Sequence, residues 1–221
     1  MILELKNIHK SFSDGASQKR EVLKGVNLAA EKGDFIAITG VSGSGKTTLL
    51  NILGTQLRPD SGEYILDGQN LTLPGVEFND IRNQKIGFVF QDFRLMPQFS
   101  VRENILLPVL AKKEKASEED VKYANELMQM LGIAHLENQL PNTLSGGEKA
   151  RTSICRALIN HPAIVLADEP TGQLDVENAA RIATLLSEIS NNLGTTIIMV
   201  THDPAIAAKA KRTIKLEEIN H

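Results

Sequence analysis

The chain has 221 residues, 42% of them apolar and 23% charged, and its 24 Lys plus Arg against 27 Asp plus Glu give a formal charge of −3. Such composition is ordinary for a globular domain and excludes a disordered or fibrous chain, while the acidic balance disfavours nucleic acid binding through bulk charge. The single cysteine, Cys155, excludes an internal disulfide and fits a reducing compartment, and no apolar run reaches the roughly 18 residues that span a bilayer. The opening Met1-Ile2-Leu3-Glu4-Leu5-Lys6 lacks the pattern of a signal peptide.

Along the chain, Leu3 and Leu5 alternate with Glu4 and Lys6, and Val26 and Leu28 flank Asn27, the period of half-buried strands. Between them, the polar stretch Ser13 to Arg20 predicts a loop. The turn Glu31-Lys32-Gly33-Asp34 feeds the strand run Phe35-Ile36-Ala37-Ile38-Thr39, and Thr48 to Leu53 reads as a helix. From about Asp92 to Asn160 the pattern becomes helical. Ser117-Glu118-Glu119-Asp120 resembles a helix start, with Asp in place of the Glu or Gln of a full capping box, and Val121, Ala124, Met128 and Leu131 share one face up to Gly132. Two further apolar runs, Ala163 to Ala167 and Thr195 to Val200, do not alternate, which predicts strands covered on both faces of a parallel sheet. Ile182, Leu185, Leu186, Ile189 and Leu193 predict a connecting helix with Gly194 at its C-terminal cap, in a right-handed crossover.

The stretch Gly40-Val41-Ser42-Gly43-Ser44-Gly45-Lys46-Thr47 fits G-x-x-x-x-G-K-[ST] and lies between a predicted strand and a predicted helix. Glycines let successive N–H groups turn inward toward phosphate oxygens, and the helix adds the positive end of its dipole. Lys46 can reach the β- and γ-phosphates and the Thr47 hydroxyl can coordinate Mg²⁺, so these residues predict a nucleoside triphosphate site. Downstream, Ile164-Val165-Leu166-Ala167-Asp168-Glu169 is an apolar strand ending in two carboxylates. Asp168 suits the Mg²⁺ shell and Glu169 suits the attacking water.

With these elements on the page, a wider set of motifs resembles the ATP-binding-cassette (ABC) ATPases, over nearly the whole chain. Leu144-Ser145-Gly146-Gly147-Glu148 resembles the signature motif, Gln91 after Ile86-Gly87-Phe88-Val89-Phe90 the Q-loop glutamine, Gly172-Gln173-Leu174-Asp175 the D-loop, and His202 after Met199-Val200-Thr201 the switch histidine. The resemblance implies an α/β fold: a P-loop NTPase core with a mostly parallel sheet, an N-terminal antiparallel β subdomain and an inserted α-helical subdomain. It implies one ABC ATPase domain over residues 1–221, with 1–91 and 161–221 as the nucleotide-binding core and about 92–160 as the helical part.

The resemblance further implies ATP and Mg²⁺ as cofactors and a division of labour among the residues. Glu169, His202, Lys46 and Gln91 serve catalysis, and Thr47, Gln91 and Asp168 serve the metal. Phe12, under the adenine, with Gly40, Ser42, Gly43, Ser44, Gly45, Lys46, Thr47 and Thr48, binds nucleotide in one copy. Ser145, Gly146, Gly147 and Glu148 bind it from a second copy, so two chains sandwich two ATP molecules, and Asp175 of the D-loop is a further nucleotide-binding residue. Phe12 has an ordinary alternative as a core aromatic. Glu148 stands where glutamine is usual, which removes one amide donor and brings a negative charge, with Lys149 beside it to offset that charge.

The segments Phe90 to Pro97 and Ser100 to Pro108 are similar to those of the cassettes of lipoprotein release, macrolide efflux and cell division. This likeness implies a subunit on the cytoplasmic face of the membrane, driving integral membrane permease subunits in export or release, without nucleic acid. A division-associated scaffold is the alternative. Phe93, Leu95, Met96, Pro97 and Phe99 either form an apolar groove for a partner helix or pack the core of the helical part.

Overall fold

In chain order the described residues, 1–13 and 19–220 of this computed structural model, begin with strands β1 (Leu3–Ser13), β2 (Lys19–Ala30) and β3 (Phe35–Thr39), then helix α1 (Lys46–Leu53). Strands β4 (Ser61–Leu66) and β5 (Gln69–Asn70), helix α2 (Phe78–Lys85) and strand β6 (Ile86–Val89) follow. Three helices come next: α3 (Val101–Leu110), α4 (Glu118–Met130) and α5 (Gly146–Leu158). The last elements are β7 (Ile164–Asp168), α6 (Val176–Leu193), β8 (Thr196–Val200), the short α7 (Pro204–Ala207), β9 (Arg212–Lys215) and the short α8 (Leu216–Ile219).

Strands β6-β7-β8-β3-β9 pair in that order, each neighbour parallel, and β2-β1-β4-β5 form a separate antiparallel sheet. Successive side chains of a strand point to opposite faces, and here each face has its own core. Phe35, Ala37, Val165, Ala167, Ile197 and Met199 pack with the helical part and α6, through residues such as Ile105, Met128, Ile154 and Leu186. Ile36, Ile38, Ile164, Leu166, Ile198 and Val200 pack with α1 and the antiparallel sheet, through Leu49, Leu50, Leu5, Leu28 and Tyr64. Every position of β8 is buried, which is why its sequence shows no alternation.

Several local expectations hold. Helix α6 ends on Gly194, whose φ of 63° is the left-handed conformation a C-terminal cap needs. Other expectations are corrected. Ser13 ends β1 and Lys19 and Arg20 open β2, so of the predicted loop only residues 14–18 remain, and these lie outside the described residues. The pairing of Phe12 with Arg20 and Ser13 with Lys19 supplies the ladder that composition hid. Asp120 does close a capping box: its carboxylate accepts from Ser117 N at 2.8 Å and from Ser117 Oγ at 2.7 Å, while Asp120 N donates to Ser117 Oγ at 3.2 Å.

Candidate nucleotide site

Strand β3 delivers the chain into the loop Gly40–Gly45, which opens α1. Gly45 caps that helix at φ 105°, and a Cβ there would lie 2.9 Å from Val22 Cγ1, so both the backbone angle and the approach of β2 demand glycine. The loop borders a cavity of about 460 Å³ lined by Ser42, Gly43, Gly45, Lys46, Thr47 and Thr48, together with Glu169, Phe12, Arg20 and Val22. Lys46 Nζ donates to Gly40 O at 2.7 Å and to Val41 O at 2.9 Å, so the cation rests on the loop's own carbonyls. Ser44 Oγ is buried without a hydrogen-bond partner. A glycine-rich turn at a helix N-terminus, a lysine held by neutral carbonyls and an orphaned hydroxyl fit a phosphate group.

The other expected groups arrive at the same edge because parallel strands all end there. Gln91 follows β6, Asp168 ends β7, and His202 follows β8. Glu169 takes a left-handed φ of 45°, and its N–H donates to Val200 O at 3.0 Å, which turns its side chain out of the sheet. There His202 Nδ1 lies 2.8 Å from Glu169 Oε1. The bond and the charge of Glu169 raise the imidazole pKa above its ordinary value. Asp168 is raised too, by burial first and then by Glu169, against Arg94 and Lys46. Gln91 is exposed and sits against Gly172, since a Cβ on that glycine would lie 3.1 Å from Gln91 Nε2.

Phe12 is 43% exposed and borders the phosphate-loop cavity, so it is not a core aromatic. Arg20 lies beside it at the same cavity. The sequence pattern missed Arg20 because its strand was read as loop, and only the pairing of Phe12 with Arg20 in the structure brings it to the cavity.

Ser145, Gly146, Gly147 and Glu148 do not line that cavity; they open α5 and pack against residues 173–178, where Gly146 faces Leu174 and Gly147 faces Asn178. Ser145 is the N-cap, and Glu148 Oε2 accepts from Ser145 N and Ser145 Oγ, each at 2.7 Å. Those bonds hold the Glu148 carboxyl below its ordinary pKa. Its charge is therefore folded back onto its own helix start. Asp175 is likewise the N-cap of α6, accepting from Asn178 N at 2.9 Å.

Beside the β6 end lies an open groove of about 540 Å³, walled by Phe88, Phe90, Met96, Pro108, Arg94 and Arg156 among others. Of the five residues expected to form an apolar groove, only Met96 lines it; Phe93 is 4% exposed and belongs to the helical core. Phe93 and Arg94 both have left-handed φ, and Arg156 of α5 donates to the carbonyls of both at 2.6 Å, which turns the Phe93 ring inward.

A sheet whose strand ends converge on a phosphate-binding loop and an acidic strand terminus defines a P-loop nucleotide-binding domain. The chain belongs to the ABC transporter family, whose model matches residues 23–172, and it is an ATP-hydrolysing cassette of that family. It is 43% identical over 221 residues to the lipoprotein-releasing system ATP-binding protein LolD of Saccharophagus degradans, covering 98% of this chain and 94% of that one. It is 42% identical to the bacitracin export ATP-binding protein BceA of Halalkalibacterium halodurans, covering 98% and 85%. Against the pyoverdine export ATP-binding/permease protein PvdT of Pseudomonas fluorescens it is 42% identical but spans only 33% of that protein's length. In solved structures it resembles the dimeric cassette MJ0796 bound to ADP and Pi, with a TM-score of 0.84 and 40% identity over 97% of this chain and 94% of the other.

Proposed function

We propose that this cassette works as a homodimer on the cytoplasmic face of a membrane, driving permease subunits that export or release a substrate such as a lipoprotein or drug. One observation carries the reading. The phosphate loop and the Glu169–His202 pair share one edge, whereas the helix start at Ser145–Glu148, itself an anion-binding terminus, does not line that cavity. A second copy, related by a two-fold axis, lets each helix start complete the other chain's site. The dimeric relative MJ0796 supports this. Among the described residues no helix is long and apolar enough to cross a membrane, and the relative PvdT is named for both an ATP-binding and a permease part. The groove at Phe88, Phe90 and Met96, next to Gln91, suits a partner segment there.

In this reading the backbone of Gly40–Thr48 and Lys46 grip the phosphates, Phe12 receives the base, and the Ser145–Gly147 amides with Asp175 approach from the partner copy. Hard oxygen donors from Thr47 and Asp168, with Gln91 nearby, fit Mg²⁺, which when bound supplies charge neutralisation at the phosphates. Glu169 orients and deprotonates water, and His202, held by Glu169, senses the γ-phosphate. Phosphoryl transfer then needs mostly positioning.

The test is Glu169→Gln with saturating Mg-ATP. A dimer on a sizing column, with hydrolysis reduced by about 10²–10⁴-fold, is expected; a persistent monomer overturns the reading. Co-purification of a membrane permease from the native host checks the partner.

A further inference from the structure

Strand β9 runs beside β3 with Ile214 opposite Ile38 and Lys215 opposite Thr39, so the two strands end level. Two residues further on in each, the chains still meet. Glu217 of α8 reaches over the phosphate loop, and its Oε1 accepts from Val41 N at 2.7 Å. The approach is close: a Cβ on Gly40 would lie 2.9 Å from that oxygen. Residues 40 and 41 are thereby held twice, their carbonyls by Lys46 Nζ and the Val41 N–H by Glu217. Helix α8 is itself anchored. Leu216 is fully buried, and Asn220 accepts from Lys24 N at 2.6 Å and donates to Val22 O at 3.0 Å on β2. Val22 is the residue that presses on Gly45 and borders the nucleotide cavity.

The geometry points to Glu217 as a positioning residue for ATP binding: a strap from α8 that fixes the outer turn of the phosphate loop when Lys46 leaves its carbonyls for phosphate. This inference rests on the nucleotide role of Lys46 proposed above. A carboxylate accepting a backbone N–H makes a charge-assisted bond, and a loop held in place before the ligand arrives spends less binding free energy on ordering. The same carboxylate also places a negative charge near the triphosphate. The two effects have opposite signs, and the strap should win because the Val41 bond is short and direct.

The experiment compares wild type, Glu217→Ala and Glu217→Gln for ATP affinity by calorimetry without Mg²⁺, for steady-state ATPase kinetics and for thermal melting. Glu217→Ala should raise the ATP Kd and KM about tenfold, the scale of one charge-assisted bond, with kcat within about twofold. Glu217→Gln keeps an acceptor oxygen for Val41 N–H and should restore affinity to within about threefold of wild type. Unchanged or tighter ATP binding by a folded Glu217→Ala overturns the strap, as does a Glu217→Gln chain as weak as Glu217→Ala. A wild-type chain without ATP affinity would instead bring down the nucleotide reading itself, and the strap with it.

Discussion

His202 Nδ1 and Glu169 Oε1 lie 2.8 Å apart across the ends of β7 and β8, so the two groups behave as one unit. The bond favours the imidazolium, whose pKa is raised above the ordinary 6.5. The stabilisation it adds is full below the ordinary value and is lost as pH rises through the raised one. An NMR titration of His202 should show a midpoint above 6.5, and Glu169→Gln should bring it down. An unmoved midpoint in that variant would detach the histidine from the glutamate.

Lys46→Ala removes both the cation and the two bonds that hold Gly40 and Val41 carbonyls. ATP binding should vanish in calorimetry, and ordinary affinity would contradict the phosphate-loop role.

Glu148→Gln tests the residue that departs from its family's usual glutamine. Glutamine can still accept from Ser145, so the capping box should survive, and the loss of a negative charge at a helix N-terminus should cost about 0.3–1 kcal/mol. Because the bonds to Ser145 lower the Glu148 pKa, its contribution is present above the ordinary carboxyl value and fades as pH falls through the lowered one. Chemical denaturation at pH 7 measures the first, and turnover should stay level or rise. A strong loss of turnover would give Glu148 a role of its own.

Asn104 is fully buried in α3 and ties down the segment after Gln91. It accepts from Met96 N at 2.7 Å and donates to Met96 O, Phe99 O and Ser100 O at 3.1, 2.8 and 3.0 Å. Asn104→Leu strands these backbone groups and should cost about 1–3 kcal/mol, read as a shift in the urea midpoint. Amide exchange at Met96 should quicken in the same variant.

Chemistry that depends on local order was legible from the chain alone. Gly40–Thr47 needs its glycines in a fixed sequence between a strand and a helix, and the runs around Ile164 and Ile197 show two-sided burial by failing to alternate. Ser145 and Asp175 read as nucleotide contacts, yet within one chain each is a helix cap, because a side chain that accepts from its own N–H groups looks the same in sequence as one that awaits a ligand. The sequence left Phe93 open between groove and core, and its inward turn goes with the bond from Arg156, 63 residues away, to its carbonyl on a left-handed backbone.

The sequence by itself determined the α/β class, the family and most of the groups at the strand ends, since motif spacing and hydrophobic period are local properties. Only the tertiary structure decided which of those groups meet. The pairing of β9 with β3 sets Glu217 over Val41, and the parallel order of β7 and β8 sets His202 against Glu169. Such contacts join residues 176 and 33 positions apart, and no local pattern encodes a distance that only the sheet register imposes.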